Sequence, residues 1–113
     1  MALQISTNIE INSSSEEVWK VLMDFSSYPE WNSFINSLEG EARVSKKIRA
    51  NIDGMKFKPK VLVLDVNRKF QWIGHLLIPG LFDGKHSFEL IENEDHSTTF
   101  IQKEIFKGVL VPF

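Results

Sequence analysis

Apolar and polar residues alternate from Asn36 almost to the end of the chain, and this pattern leaves few folds open. A period of two is that of β-strands with one buried face. Turn-forming residues separate the alternating segments, for example Asp53-Gly54 and Asn67-Arg68. Strands joined in sequence by short turns form an antiparallel meander. The predicted strands cover residues 37–41, 46–53, 58–66, 69–75, 85–92 and 98–106.

The first third of the chain has a different pattern. Residues 3–11 alternate and predict one strand, with Leu3, Ile5, Thr7, Ile9 and Ile11 on its buried face. Ser14 and Glu17 then form a capping box, and an apolar stripe follows at helical spacing, consisting of Val18, Val21, Leu22 and Phe25. Pro29 suits the first turn of a second, short helix that runs through Trp31 and Phe34.

The whole chain of 113 residues fits one domain. The order of elements predicts an α+β domain: a curved, seven-stranded antiparallel sheet with two short helices after strand 1, covering one face of the sheet. Nine Phe and three Trp stand against one Tyr. Since Phe has no polar tip, most of these rings are expected inside the domain or along an apolar cavity.

Composition narrows the function classes. The net charge is −2 and no basic patch interleaves with aromatic residues, so we expect no nucleic-acid partner. Without Cys there is no thiolate chemistry. The apolar runs are too short for membrane insertion, and the first residues lack the features of a signal peptide, which favours a cytoplasmic protein. His75, His86 and His96 lie about ten residues apart, unlike a zinc site, and no metal or other cofactor is expected.

Four segments carry a resemblance to a known family: residues 11–19 (INSSSEEVW), 28–32 (YPEWN), 79–90 (PGLFDGKHSFEL) and 99–108 (TFIQKEIFKG). The chain resembles the START-like superfamily and, more narrowly, the polyketide cyclase/dehydrase and lipid-transport (SRPBCC) family. The resemblance implies a helix-grip fold with a deep cavity, closed by a long C-terminal helix. The chain ends at Phe113, where that helix would begin, so we expect a START-like domain over residues 1–113 that is truncated at its C-terminus.

Strand register predicts which residues face the interior. A turn at 93–97 would place Leu90 opposite Phe100 and His86 opposite Glu104, and opposite residues point to the same face. With the short helix at the mouth of the cavity, the expected ligand-binding residues are Trp31, Phe34, Phe70, Trp72, His86, Phe88, Leu90, Phe100, Gln102, Glu104 and Phe106. A few polar groups in an apolar, aromatic lining are typical of a small-molecule pocket.

Three functions stay open from these residues. The first is a carrier or sensor that binds a small hydrophobic molecule and is a monomer or weak homodimer. The second is a cyclase or dehydratase in which His86 and Glu104 act as an acid/base pair. The third, implied by the family, is a protein-interaction domain of the chaperone-regulator type. The His86–Glu104 pair could equally be structural, since buried polar groups commonly satisfy one another, and no residue is assigned as catalytic.

Overall fold

A computed structural model describes residues 2–75 and 79–108. It contains two short α-helices, a 3₁₀ turn at Phe25–Ser27 between them, and eight strands. The elements are β1 (Ala2–Ile11), α1 (Ser15–Met23), α2 (Tyr28–Trp31), β2 (Ile35–Glu39), β3 (Arg49–Ile52), β4 (Met55–Phe57), β5 (Lys60–Asp65), β6 (Lys69–His75), β7 (Asp83–Glu92) and β8 (Thr98–Lys107). The predicted α+β class with two short helices after the first strand is confirmed.

The strands form two antiparallel sheets rather than a single sheet of seven strands. The large sheet has the order β1-β8-β7-β6-β5, and the small sheet has the order β2-β3-β4. Strand β4 was missed because Lys56 and Lys58 flank Phe57 in a segment too short to show alternation. The two sheets are joined where Lys47 bridges Lys60 and where the Ile48 amide donates to the Pro59 carbonyl at 2.8 Å.

The turns follow the sequence signals. Asp53 and Gly54 both have positive φ (51° and 81°), as the two central residues of a type I′ hairpin turn require. Asn67 and His96 also adopt positive φ, in the turns before β6 and β8. The loop between the predicted strands 69–75 and 85–92 ends earlier than expected, since β7 begins at Asp83. Leu76, Leu77 and Ile78 of that loop, and the apolar residues 109–113, lie outside the described residues.

Helix α1 begins where the capping box predicts. The Ser14 hydroxyl accepts a hydrogen bond from the Glu17 amide at 3.2 Å, and the buried Ser15 hydroxyl lies 3.2 Å from that of Thr98 at the start of β8. Buried Val18, Trp19 and Leu22 hold the helix on the sheet. Phe34 is not in the second helix, which ends at Trp31, and its side chain is 65% exposed.

One aromatic core lies between the helices and the middle of the large sheet. Tyr28 is fully buried, and its hydroxyl donates to the Leu22 carbonyl at 2.8 Å, which ties α2 to α1. Phe88 at the centre of β7 contacts the rings of Tyr28, Phe70 and Phe100 at centroid distances of 5.9–6.1 Å. These contacts fix the two helices over β6, β7 and β8.

Candidate ligand site on the inner face of the sheet

The predicted strand register is confirmed. Leu90 pairs with Phe100, Phe88 with Gln102 and His86 with Glu104. The next strand continues the rows, with Trp72 opposite His86 and Phe70 opposite Phe88. Each row shares one face of the sheet. Lys103 lies on the other face, with its ammonium group 3.4 Å from the Glu89 carboxylate.

A cavity on this face lies between α1 and the β1–β8 edge of the sheet. Its volume is about 420 Å³. We call it the helix cavity; it is lined by Ile9, Ile11, Ser13, Glu17, Val18, Val21, Leu22, Trp31, Phe100 and Gln102. Three predicted residues (Trp31, Phe100 and Gln102) belong to this lining. The lining residues of β1 and α1 were not predicted as ligand-binding residues. Ile9 could have been found, because it lies opposite Phe100 in the β1–β8 register.

A second, smaller cavity lies at the other end of the same face. Its volume is about 230 Å³. We call it the glycine cavity; it is lined by Ile52, Asp53, Met55, Phe57, Pro59, Trp72, Gly74, Phe82, Gly84 and Phe106. Two predicted residues, Trp72 and Phe106, line it. Phe82, just before β7, stacks on Phe106 of β8 with ring centroids 5.5 Å apart.

The other predicted aromatic and aliphatic residues lie elsewhere. Phe70, Phe88 and Leu90 are buried in the core and line neither cavity. The exposed Phe34 also lines neither of these cavities, and its hydrogen bonds are made by its backbone: the carbonyl accepts from the Asp53 amide at 2.8 Å and the amide donates to Asn32 Oδ1 at 3.1 Å. Ile35, the first residue of β2, is buried, whereas the adjacent Phe34 is exposed.

His86 and Glu104 meet in the row between the two cavities. The His86 Nδ1 atom lies 3.6 Å from Glu104 Oε1, longer than a hydrogen bond. Burial lowers the pKa of His86 to about 4, against a smaller opposing effect of the Gln102 side chain. The imidazole is therefore neutral at pH 7, and the contact is not an ion pair. Burial also raises the pKa of Glu104, which is half-buried.

The imidazole of His86 is held between aromatic rings. Its centroid lies 4.3 Å from that of Phe88 and 5.0 Å from that of Trp72. The Nε2 atom is buried and has no hydrogen-bond partner among the described residues. A buried polar atom without a partner is uncommon in folded proteins, and His86 lines neither the helix cavity nor the smaller cavity.

The described part of the chain has neither a cluster of metal-ligating side chains nor a helix that could span a membrane. No group of three or more His, Asp or Glu side chains there is placed to hold a metal ion. Among the helices of residues 2–75 and 79–108, none is both long and apolar enough to cross a membrane.

Comparison with solved structures shows the fold. A START superfamily protein from Mycobacterium smegmatis matches with a TM-score of 0.75 at 20% identity, over 97% of this chain and 79% of that chain. A hypothetical protein from Helicobacter pylori matches with a TM-score of 0.82 at 12% identity, over 95% and 71% of the two chains. The Zhui aromatase/cyclase from Streptomyces sp. R1128 matches with a TM-score of 0.74 at 14% identity, over 94% and 68%.

Comparison of the sequence gives the family. No curated protein matches the chain. The family model described as polyketide cyclase / dehydrase and lipid transport matches residues 2–112. Because this match covers nearly the whole chain, and the fold agrees with it, the protein belongs to the polyketide cyclase/dehydrase and lipid-transport family.

Proposed function

We propose that the protein binds a small hydrophobic molecule in the helix cavity, as a carrier or sensor. The observation that carries this proposal is the cavity itself: about 420 Å³ of space, lined mainly by aliphatic and aromatic side chains. Pockets for small molecules commonly have volumes of about 300–1,000 Å³ and a mostly apolar lining with few polar groups. Membership of a family that includes lipid transport supports the same function.

The polar groups of the helix cavity suggest how a ligand would be oriented. Gln102 is half-buried in the sheet floor, whereas Glu17 and Ser13 are exposed at the start of α1. An apolar body would contact Ile9, Val18 and Phe100. A hydroxyl or carbonyl group would reach the Gln102 amide, which can donate and accept. The ligand class that fits is therefore an apolar molecule that carries a hydroxyl or carbonyl group.

Displacement of an apolar fluorescent dye, together with native mass spectrometry, tests the proposal. We expect saturable dye binding that Val21→Gln weakens about tenfold, the effect expected for a change of roughly one apolar group in a pocket. Val21 is 49% exposed, so this change does not disturb the core. Val44→Gln is the matched control, because Val44 is 53% exposed and lies outside the helix cavity. Equal effects of the two changes, or no saturable binding, would contradict the proposal.

A second candidate function is the dehydration of an apolar β-hydroxyketone by His86 and Glu104. The specific observation is their 3.6 Å approach, together with burial of Glu104, which raises its pKa and favours its acid form. The neutral imidazole would take the α-proton, and protonated Glu104 would give its proton to the leaving hydroxyl, which departs as water. The products are the enone and water. The α-proton then passes from the imidazolium to the Glu104 carboxylate, which restores both groups.

An aryl β-hydroxyketone is a suitable probe because its enone product is followed by absorbance. The catalytic hypothesis predicts turnover in the native protein and its loss in Glu104→Gln, with an unchanged circular dichroism spectrum. A protein that binds dye in the helix cavity but turns over no such probe, or a Glu104→Gln variant as active as the native protein, would leave the binding function alone in place.

A further inference from the structure

The glycine cavity has a floor made by two glycines that face each other on neighbouring strands. Gly74 of β6 pairs with Gly84 of β7, two residues along from the Trp72–His86 pair and on the same face. Both glycines line the cavity. Because glycine has no side chain, the floor of the cavity is backbone. The cavity occupies the space that two side chains would otherwise fill.

The backbone of the two strands does not require glycine at either position. The register between β6 and β7 is continuous from Lys69–Glu89 to His75–Asp83, so there is no bulge. Neither Gly74 nor Gly84 has a positive φ. A Cβ atom at Gly74 would lie 3.8 Å from the Phe57 ring, and one at Gly84 would lie 3.5 Å from the Phe106 ring, both ordinary contacts. An alanine would therefore fit at both sites.

Glycine inside a strand is unfavourable, because it packs no side chain and loses more conformational freedom on folding. Such a glycine commonly marks a bulge, a tight bend of the sheet, or a place that another backbone or a ligand approaches closely. Here the register has no bulge, and both glycines border open space. Gly108 provides the contrast within the same chain. It has φ 133°, and a Cβ there would lie 2.5 Å from the Leu81 carbonyl oxygen, so the backbone itself requires that glycine.

The walls of the glycine cavity are apolar on three sides. The stacked rings of Phe82 and Phe106 form one side, and Phe57 with Pro59 form another. The fully buried Trp72 separates the cavity from His86. Met55 lines the cavity and is half exposed, which places the mouth at the β3–β4 hairpin. Asp53 in that hairpin turn is exposed and is the charged residue of the lining.

We propose that the glycine cavity is a second binding site, which takes a compact apolar group the size of one aromatic ring, and that Gly74 and Gly84 set its size. The volume of about 230 Å³ suits such a group, since an apolar cavity of about 150 Å³ already binds benzene. The site extends the proposed function to a second, separate cavity. It rests on that function only in assuming that the inner face of the sheet serves ligand binding.

Toluene is the probe, and methyl-detected NMR separates the two cavities. We expect saturable shifts and intermolecular contacts at the methyl groups of Ile52 and Met55, which line the glycine cavity. Gly74→Ala and Gly84→Ala should each weaken toluene binding there by about tenfold, the effect of one methyl group of lost space. They should weaken benzene binding less, because benzene is smaller. Lys85→Ala, beside Gly84 in β7 and half-buried, is the control and should leave binding unchanged.

The fate of each proposal can be read separately. Toluene contacts at Ile9 and Val18 alone would overturn the second site and leave the helix cavity in place. Contacts at Ile52 and Met55 alone would support the second site against the helix cavity. Unchanged toluene binding in both glycine variants, or an equal loss for benzene and toluene, would show that the glycines do not set the size. The melting temperatures of both variants should equal or exceed that of the native protein, because alanine is the better strand residue.

Discussion

The inner face of the large sheet has two halves with the same sequence pattern and opposite exposure. On β6 and β7, Phe70, Trp72 and Phe88 are at most 2% exposed. On β1, Leu3, Ile5 and Ile9 occupy equivalent inward positions and are about half exposed, between 47% and 54%. Both halves alternate with a period of two, and both face the same side through a continuous register.

The difference comes from what lies over the strands. Tyr28 and Trp31 sit above Phe88, with ring centroids 6.1 and 6.0 Å from its ring, and complete an aromatic core there. Over β1, the helix cavity separates α1 from Ile9 and Ile11. Alternation thus tells which face of a strand is apolar, whereas burial depends on which other element covers it. The covered half stabilises the domain, and the open half leaves room for a ligand.

Truncating a ring in the covered half gives the largest expected effect. Phe88→Ala should lower the free energy of unfolding by about 3–5 kcal/mol, because it removes a buried ring and leaves a cavity among its neighbours. Phe34→Ala makes the same chemical change at a side chain that is 65% exposed, and should cost about 0.5 kcal/mol or less. Urea denaturation measures both. Similar losses in the two variants would mean that Phe34 is covered in solution.

Lowering the pH should destabilise the protein through His86, which lies in the covered half, by less than Phe88→Ala does. The pKa of His86 is lowered from 6.5 in the unfolded chain to about 4 in the folded protein. As the pH falls from about 6.5 to 4, the unfolded chain takes up a proton that the native imidazole resists, so stability is lost in that range by up to about 3 kcal/mol. Glu104 has the opposite effect on stability. Because its pKa is raised in the folded protein, its protonation at low pH favours the folded state.

His86→Phe isolates this contribution because it keeps a ring of similar size and removes the titrating group. We expect the free energy of unfolding of the native protein to fall more steeply between pH 6.5 and 4 than that of the variant. Urea titrations at several pH values give the two slopes. Parallel curves would show that the folded imidazole accepts a proton as readily as the unfolded one.

Much of the fold could be predicted from the sequence, because its signals are local. The Ser14 cap, the turns at Asp53-Gly54 and Asn67, and the period-two segments each act within a few residues. The pairing of His86 with Glu104 followed from one correctly placed turn, since an antiparallel register continues from it. The split into two sheets could not be predicted, because it depends on the break between Phe57, where the three-residue strand β4 ends, and Lys60, where β5 begins.

The candidate site was harder to predict than the fold. The inward-facing residues were identified, but facing inward did not separate cavity lining from core. The helices cover Phe70 and Phe88, whereas Phe100 and Gln102 line the helix cavity. Gly74 and Gly84 carried a readable signal, because extending the Trp72–His86 row by two residues places them opposite each other.

The smallest expected effect belongs to the open half of the face. Ile5 is 47% exposed, and Thr keeps the branched Cβ that suits a strand. Ile5→Thr should therefore change the free energy of unfolding by about 0.5 kcal/mol or less. A loss above about 1.5 kcal/mol would show that this face is covered in solution. If the cover were a second copy of the chain, the melting temperature of the native protein would rise with its concentration, and that of Ile5→Thr would rise less.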